Sequence, residues 1–352
     1  MPSLAPYSLL NAHSAILADF TTEMNSPNCG HQQWRAVMSK GNITVLGING
    51  HIGHHAALAF NAAGFTVRGF GRTNRQPIPG VEFVRGDASR LDDVTAAIAQ
   101  ADIVVNALNL PYDKWDKGRA EAQLATVIAA MGNSGKTLMF PGNVYNYAAS
   151  DRRMTPHTPQ VPQTPRGAIR VRQEEMLAAA SRAGKFQTII VRAGDFYGPH
   201  STGDWFDQAM LMDIGKGRVL HLADLDLAHA WAYLPDLGRA FAVLGAQRDT
   251  LGAFENFHFA GHFVTNRQMM DAVIKGWGAP LQVAPMPWLA LRAMGLVNGV
   301  MREIVKMRYL WNNPMELVDS RLDALLGADF ATPFDAAVAA TLGERLQTRR
   351  AA

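Results

Sequence analysis

Three glycines spaced three apart, Gly47, Gly50 and Gly53, stand between a short run of β-forming residues at 43–46 and an apolar-faced helical stretch at 52–63. A turn of this kind must pass from strand to helix with no side chain at three positions. That requirement selects a βα junction in which backbone amides, rather than side chains, face whatever lies at the helix start. From residue 42 onward the chain keeps alternating apolar β-rich runs with helical stretches, the pattern of a doubly wound parallel sheet. Strands are expected at 65–70, 81–84, 102–106, 137–140 and 188–192, with helices at about 91–100, 118–131 and 168–183. A proline-rich loop is expected at 155–165.

After residue 192 the alternation breaks into scattered aromatic and apolar pieces. Some should return to the sheet, and the rest should build a smaller lobe over its carboxyl edge, where ligands of open α/β sheets bind. The expected fold is therefore α/β, a doubly wound, mostly parallel Rossmann sheet with a smaller C-terminal substrate lobe. The division is residues 1–37, a mobile extension; 38–195, a dinucleotide-binding domain; 196–345, the substrate lobe with returning sheet and helix elements, including helices at 317–326 and 333–342; and 346–352, a tail. A short helix at 9–20 is the alternative for the extension.

Composition narrows the functions. A formal charge of +3 and 18% charged residues leave no basic stripe for nucleic acid, and Cys29, the only cysteine, allows neither an intrachain disulfide nor a thiolate metal site. The most apolar region, 281–301, is broken by Pro285, Pro287 and Arg292, so no membrane span and no membrane partner are expected. His51, His54 and His55 diverge around one helix with no acid to complete a ligand set, so no metal is expected. A cytoplasmic setting fits this composition, and a homodimer is left open.

The site residues follow from the sheet order. Gly47, Asn49, Gly50, His51, Ile52 and Gly53 form the turn on which a pyrophosphate would rest. At the end of the second strand stands Gly71-Arg72-Thr73-Asn74-Arg75, with no acid for a free ribose hydroxyl. Arg72, assisted by Arg75, suits a 2′-phosphate, so NADP(H) is expected over NAD(H). Asp87 after the third strand faces the adenine position, and Asn106 and Ala107 after the fourth should pass under the ribose.

These landmarks, with Val144-Tyr145, Arg192-Ala193-Gly194-Asp195-Phe196-Tyr197-Gly198-Pro199 and Tyr233-Leu234-Pro235-Asp236 in order behind them, give the chain a resemblance. It resembles the extended short-chain dehydrogenase/reductase superfamily, epimerase/dehydratase-like branch, over roughly residues 42–342. The resemblance implies a Ser or Thr, a Tyr and a Lys as catalytic residues, but Arg166 stands at the tyrosine position, Arg170 at the lysine position, and Pro141-Gly142-Asn143 where the hydroxyl belongs. Arginine does not release its proton at useful pH, so Arg166 cannot take over as acid or base. Arg170 can still donate to the ribose and keep a charge by the ring. Any proton must then come from Tyr145, the first choice, or from Asp195, Tyr147 or Tyr197 on the same edge.

Arg166, Tyr197 and Trp205 are expected against the substrate. Arg152, Arg153, Arg166, Arg170 and Arg172 are the candidate wall for an anionic one, with Glu174 and Glu175 as the alternative surface partners of these arginines. The expected activity is an NADP(H)-dependent oxidoreductase or epimerase/dehydratase-like enzyme on a small carbonyl or hydroxyl compound. The second reading is an NmrA-like regulator or redox sensor that binds the nucleotide without turnover.

Overall fold

The computed structural model describes residues 41–200 and 203–351. The leading extension, its alternative helix and Cys29 lie outside the described residues. The described residues gather into one compact unit.

The chain runs β1 (Asn42–Leu46), α1 (His51–Ala62), β2 (Thr66–Gly71), β3 (Glu82–Arg85), α2 (Leu91–Ile98), β4 (Ile103–Asn106), α3 (Arg119–Met131), β5 (Thr137–Gly142), β6 (Arg153–Met154), α4 (Pro165–Arg182) and β7 (Gln187–Arg192). It continues through β8 (Asp195–Tyr197), β9 (Arg218–His221), β10 (Ala228–Tyr233), α5 (Leu234–Ala246), β11 (Phe254–His258), β12 (His262–Thr265), α6 (Asn266–Trp277), β13 (Gln282–Pro285), α7 (Trp288–Met294), α8 (Gly299–Lys306), β14 (Glu316–Leu317), α9 (Ser320–Leu326) and α10 (Phe334–Ala351).

Seven parallel strands form the main sheet in the order β11-β7-β5-β4-β1-β2-β3. The chain winds outward in both directions from β1 and β4, so the crevice between them is the topological switch point. Ile43, Val45, Leu46, Ile103, Val104 and Val105 are buried on both faces, the signature of a sheet covered on each side. On one face α2, α3 and α4 close a core with Leu124, Val127 and Leu177. On the other α1 packs on α5, where Gly238 allows approach: a Cβ there would lie 2.4 Å from the His55 carbonyl oxygen.

β11 is the segment that returns to the sheet after the break in alternation, as the pattern requires. The remaining pieces build the lobe: β8 and β12 flank β10, β13 pairs with β9, and α6 and α10 pack together over a core containing Met269, Val273 and Leu342.

Three local expectations are corrected. α4 begins at Pro165, not 168, because proline suits the first helical position and the Thr164 hydroxyl accepts the Gly167 amide at 3.2 Å. β5 runs two residues further, through Pro141, because its pairing with β4 has ended at Met139 while β7 alone continues alongside. The expected tail is helical to Ala351, since the run after Gly343 is made of good helix formers with no breaker.

Candidate functional site

The strand ends line up as a cradle. Leu46 is level with Phe70 and Asn106, and Gly71 with Arg85. Backbone bonds carry the edge onward, from Gly47 N–H to Phe70 O at 3.0 Å and from Ala107 N–H to Leu46 O at 3.0 Å. The three glycines of the turn differ in purpose. A Cβ on Gly47, which sits at φ +84°, would meet the Ala107 carbonyl oxygen at 2.8 Å, and one on Gly53 would meet the Gly47 carbonyl oxygen at 2.3 Å. Those two serve the fold itself. A Cβ on Gly50 would touch nothing closer than 3.4 Å, so the bare backbone there is not required by packing. At the start of α1, Gly50 caps the helix without a side-chain bond and the first turn holds no acid. The first-turn amides, Ile52 and Gly53 among them, have no intrahelical acceptor, a fit for a pyrophosphate.

Asn49 has a role that spacing alone does not disclose. Its side-chain amide donates to Thr73 O at 2.6 Å and its oxygen accepts the Arg75 amide at 2.8 Å, so the turn holds the 71–75 loop in place. Arg72 and Arg75 are exposed on that loop. Asp87 is exposed and accepts both the amide and the hydroxyl of Ser89, which lowers its pKa. The Asn106 side chain is buried and accepts the Leu108 amide. His51 is partly exposed at the helix start; His55 turns away and Nε2–H donates to Pro199 O at 2.9 Å. Among the described residues no group of three or more His, Cys, Asp or Glu is placed to hold a metal.

At the other end of the cleft, Arg166 and Arg170 share a face of α4, as their spacing predicts. Both guanidinium groups lie over Trp115, at 5.4 and 4.6 Å from the ring centre, and Arg170 also lies over Phe140. Arg166 is buried and paired with Glu303 of α8 at 3.3 Å. The wall of five arginines is not formed. Arg172 pairs with Glu121, Arg153 with Glu316, and Arg152 donates to the Ala149 carbonyl. Glu174 is not a surface partner either: it is buried against Arg192 at 2.7 Å and also accepts from Asn146 and Gln160. This pair, with Arg192 donating to Asn143 O, pins β7 and α4 to the loop that carries Tyr145.

The candidate proton donors separate by environment. Tyr145 is buried in an apolar cluster with Trp115, Ile169 and Met307. Tyr147 donates to His258, and burial raises its pKa. Tyr197 is fully buried, 2.7 Å from His262 Nδ1, and burial raises its pKa strongly, which places it inside the lobe rather than on an open wall. Asp195 differs. One of its oxygens accepts Trp311 Nε1–H at 2.7 Å and lies 2.9 Å from His229 Nε2, while Nδ1 of His229 has no hydrogen-bond partner among the described residues. Trp205 meets Trp311 edge to face at 4.7 Å, and Trp288 lies tilted against Trp311 at 5.6 Å, so the indole bonded to Asp195 belongs to an aromatic group. Sequence reading singled out Asp195 but not its contacts with His229 and Trp311, which lie 34 and 116 residues away with no local signal of the pairing.

The NAD dependent epimerase/dehydratase family model matches residues 43–259. No curated protein matches the chain. Among solved structures, MoeE5 in complex with UDP-glucose and NAD superposes with a TM-score of 0.69 at 16% identity, covering 89% of this chain and 100% of that one. The Bordetella bronchiseptica enzyme WbmH in complex with NAD+ gives 0.66 at 20% identity, covering 86% and 97%. The Thermus thermophilus UDP-glucose 4-epimerase complex with NAD gives 0.66 at 18%, covering 87% and 99%. At such identities the likeness is one of fold.

Proposed function

We propose, from the premise that this chain belongs to the NAD dependent epimerase/dehydratase family, that it is an NADP(H)-binding oxidoreductase or epimerase/dehydratase-like enzyme with an altered proton donor. Its substrate is a small carbonyl or hydroxyl compound. The observation that carries the reading is the helix start at Gly50, where a Cβ would make only ordinary contacts, so packing does not call for glycine, and where no side chain caps the first-turn amides. The NAD carried by the solved neighbours supports a nicotinamide cofactor, and the UDP-glucose on MoeE5 supports a nucleotide sugar as the first substrate class to try.

The roles follow from position. The amides of the Gly47–Gly53 turn hold the pyrophosphate, Asn49 fixes the 71–75 loop, and Arg72 with Arg75 meets the 2′-phosphate. Asp87 faces the adenine, and Asn106 and Ala107 pass under the ribose. Arg170, steadied on Trp115, donates to the ribose hydroxyl and keeps a positive charge near the ring. A nicotinamide ring, when bound, supplies hydride chemistry. Asp195, hydrogen-bonded to His229, moves the proton, because its carboxylate has an imidazole at 2.9 Å to pass the proton to, whereas burial raises the pKa of Tyr147 and Tyr197. The proposed setting is cytoplasmic; among the described residues no helix is long and apolar enough to cross a membrane.

The ion pair of Arg166 with Glu303 favours a second reading, a nucleotide-binding sensor without turnover, because it ties up the position where the family's tyrosine would act. Calorimetry and absorbance distinguish the two. Arg72→Ala should weaken NADPH binding by about 10- to 100-fold, the loss of one charge-assisted contact, and leave NADH nearly unchanged. Gly50→Val should fold but lose both nucleotides. Turnover of NADPH or NADP+ with UDP-sugars, ketones or aldehydes that Asp195→Asn abolishes supports the enzyme. Tight binding without turnover supports the sensor, and no binding by the wild type defeats both.

A further inference from the structure

We infer that the hairpin of α7 and α8 docks on an anionic lipid surface. The apolar region after Pro287 builds no membrane-crossing helix among the described residues. It forms instead two short helices with no buried side chain in either. Its roots are fixed: Trp288 Nε1–H donates to Leu222 O at 2.9 Å, and Met307 and Leu310 are buried immediately after α8. Its tip is bare and apolar. Leu296 is 82% exposed and Val297 92%, with Met294 and Val300 beside them, and Leu289 nearer the root is 81% exposed.

Such a concentration of exposed apolar side chains marks a contact site rather than ordinary surface. A second copy of the chain would need a broad face, about 800 Å² per partner, which five projecting side chains do not provide. A bilayer needs only that they sink into the boundary between headgroups and acyl chains. The charges agree. From 288 to 308 the chain carries Arg292, Arg302, Lys306 and Arg308 against a single acid, Glu303, which is already shared between Arg166 and Lys306. Arg292 and Arg302 are exposed and have no acidic partner among the described residues. Cations flanking an apolar tip match the phosphate layer of an acidic membrane. The inference stands apart from the reading of the cofactor site.

Sedimentation of the full chain with vesicles tests it. Binding is expected to vesicles of phosphatidylcholine mixed with phosphatidylglycerol, weaker binding to phosphatidylcholine alone, and release by salt. The double variant Leu296→Asp with Val297→Asp should lower partitioning about tenfold or more, and Arg292→Glu with Arg302→Glu should remove the preference for acidic lipid. Both variants should keep the wild-type melting temperature and NADPH affinity. Three results would overturn the inference: no uptake by any vesicle, equal uptake by wild type and the aspartate variant, or a dimer that the aspartate variant dissolves while vesicles bind neither form.

Discussion

His258 is enclosed with both ring nitrogens engaged: Nδ1–H donates to Met154 O at 3.1 Å, and Nε2 accepts the Tyr147 hydroxyl at 3.0 Å. A carbonyl can only accept, so the partners fix the neutral tautomer. Burial, and then the Arg192 charge, push its pKa down to about 3. The unfolded chain takes up that proton near pH 6.5. Below 6.5 the unfolded state therefore binds more protons, and stability present at neutrality is lost as the pH falls from 6.5 toward 3. His55, pushed down to about 4 mainly by burial, acts in the same sense. Thermal melts should fall between pH 6.5 and 5, before most carboxylates titrate. His258→Gln should flatten that slope while costing about 1–3 kcal/mol at pH 7, where its hydrogen bonds are imperfectly replaced. An unchanged slope in the variant would remove His258 from the account.

The elements show what a linear pattern can and cannot carry. β1, α1 and the βα units that follow them were legible because buried parallel strands and amphipathic helices impose periods that survive in one dimension. The glycine turn was legible for the same reason, since its constraint is local. Arg192 with Glu174, and Asp195 with His229 and Trp311, were not, because nothing near Glu174 or His229 signals a partner on another element. Pairs of two to four residues, such as β6 with β14, carry too little pattern to read. Helix glycines gave no clue to purpose either, although two of them behave oppositely. Alanine at an exposed helix glycine gains up to about 1 kcal/mol of propensity. At Gly343, with nothing within 4 Å, Gly343→Ala should realise that gain. At Gly238 the new Cβ would lie 2.4 Å from the His55 oxygen and 2.7 Å from its carbon, backbone atoms that cannot swing aside. Overpacking costs about 1–3 kcal/mol, so Gly238→Ala should be net destabilising. Denaturant melts of the two variants check this, and equal signs would mean α1 and α5 have room to separate.

Across the whole molecule, the carboxyl edge of the sheet is closed by a segment that arrives more than a hundred residues later. Glu303 of α8 reaches Arg166 of α4, and Arg166 in turn lies on Trp115. The half of the cleft proposed for the nucleotide is thus built by the first strands, whereas the half around Arg166 also takes in a C-terminal helix. Breaking the contact separates two roles for Arg166. Its side chain is 6% exposed, so Glu303→Gln leaves a buried cation with a weaker partner. Loss of a fully buried partner costs about 3–5 kcal/mol, but Glu303 is 22% exposed and the Trp115 ring remains, so about 1–2 kcal/mol is expected. If Arg166 also meets an anionic substrate, Glu303 competes for the same guanidinium in the wild type. Glu303→Gln should then bind UDP-glucose several-fold more tightly while melting at a lower temperature. A lower melting temperature with unchanged UDP-glucose affinity would make Arg166 a staple between sheet and lobe, with no part in holding a ligand.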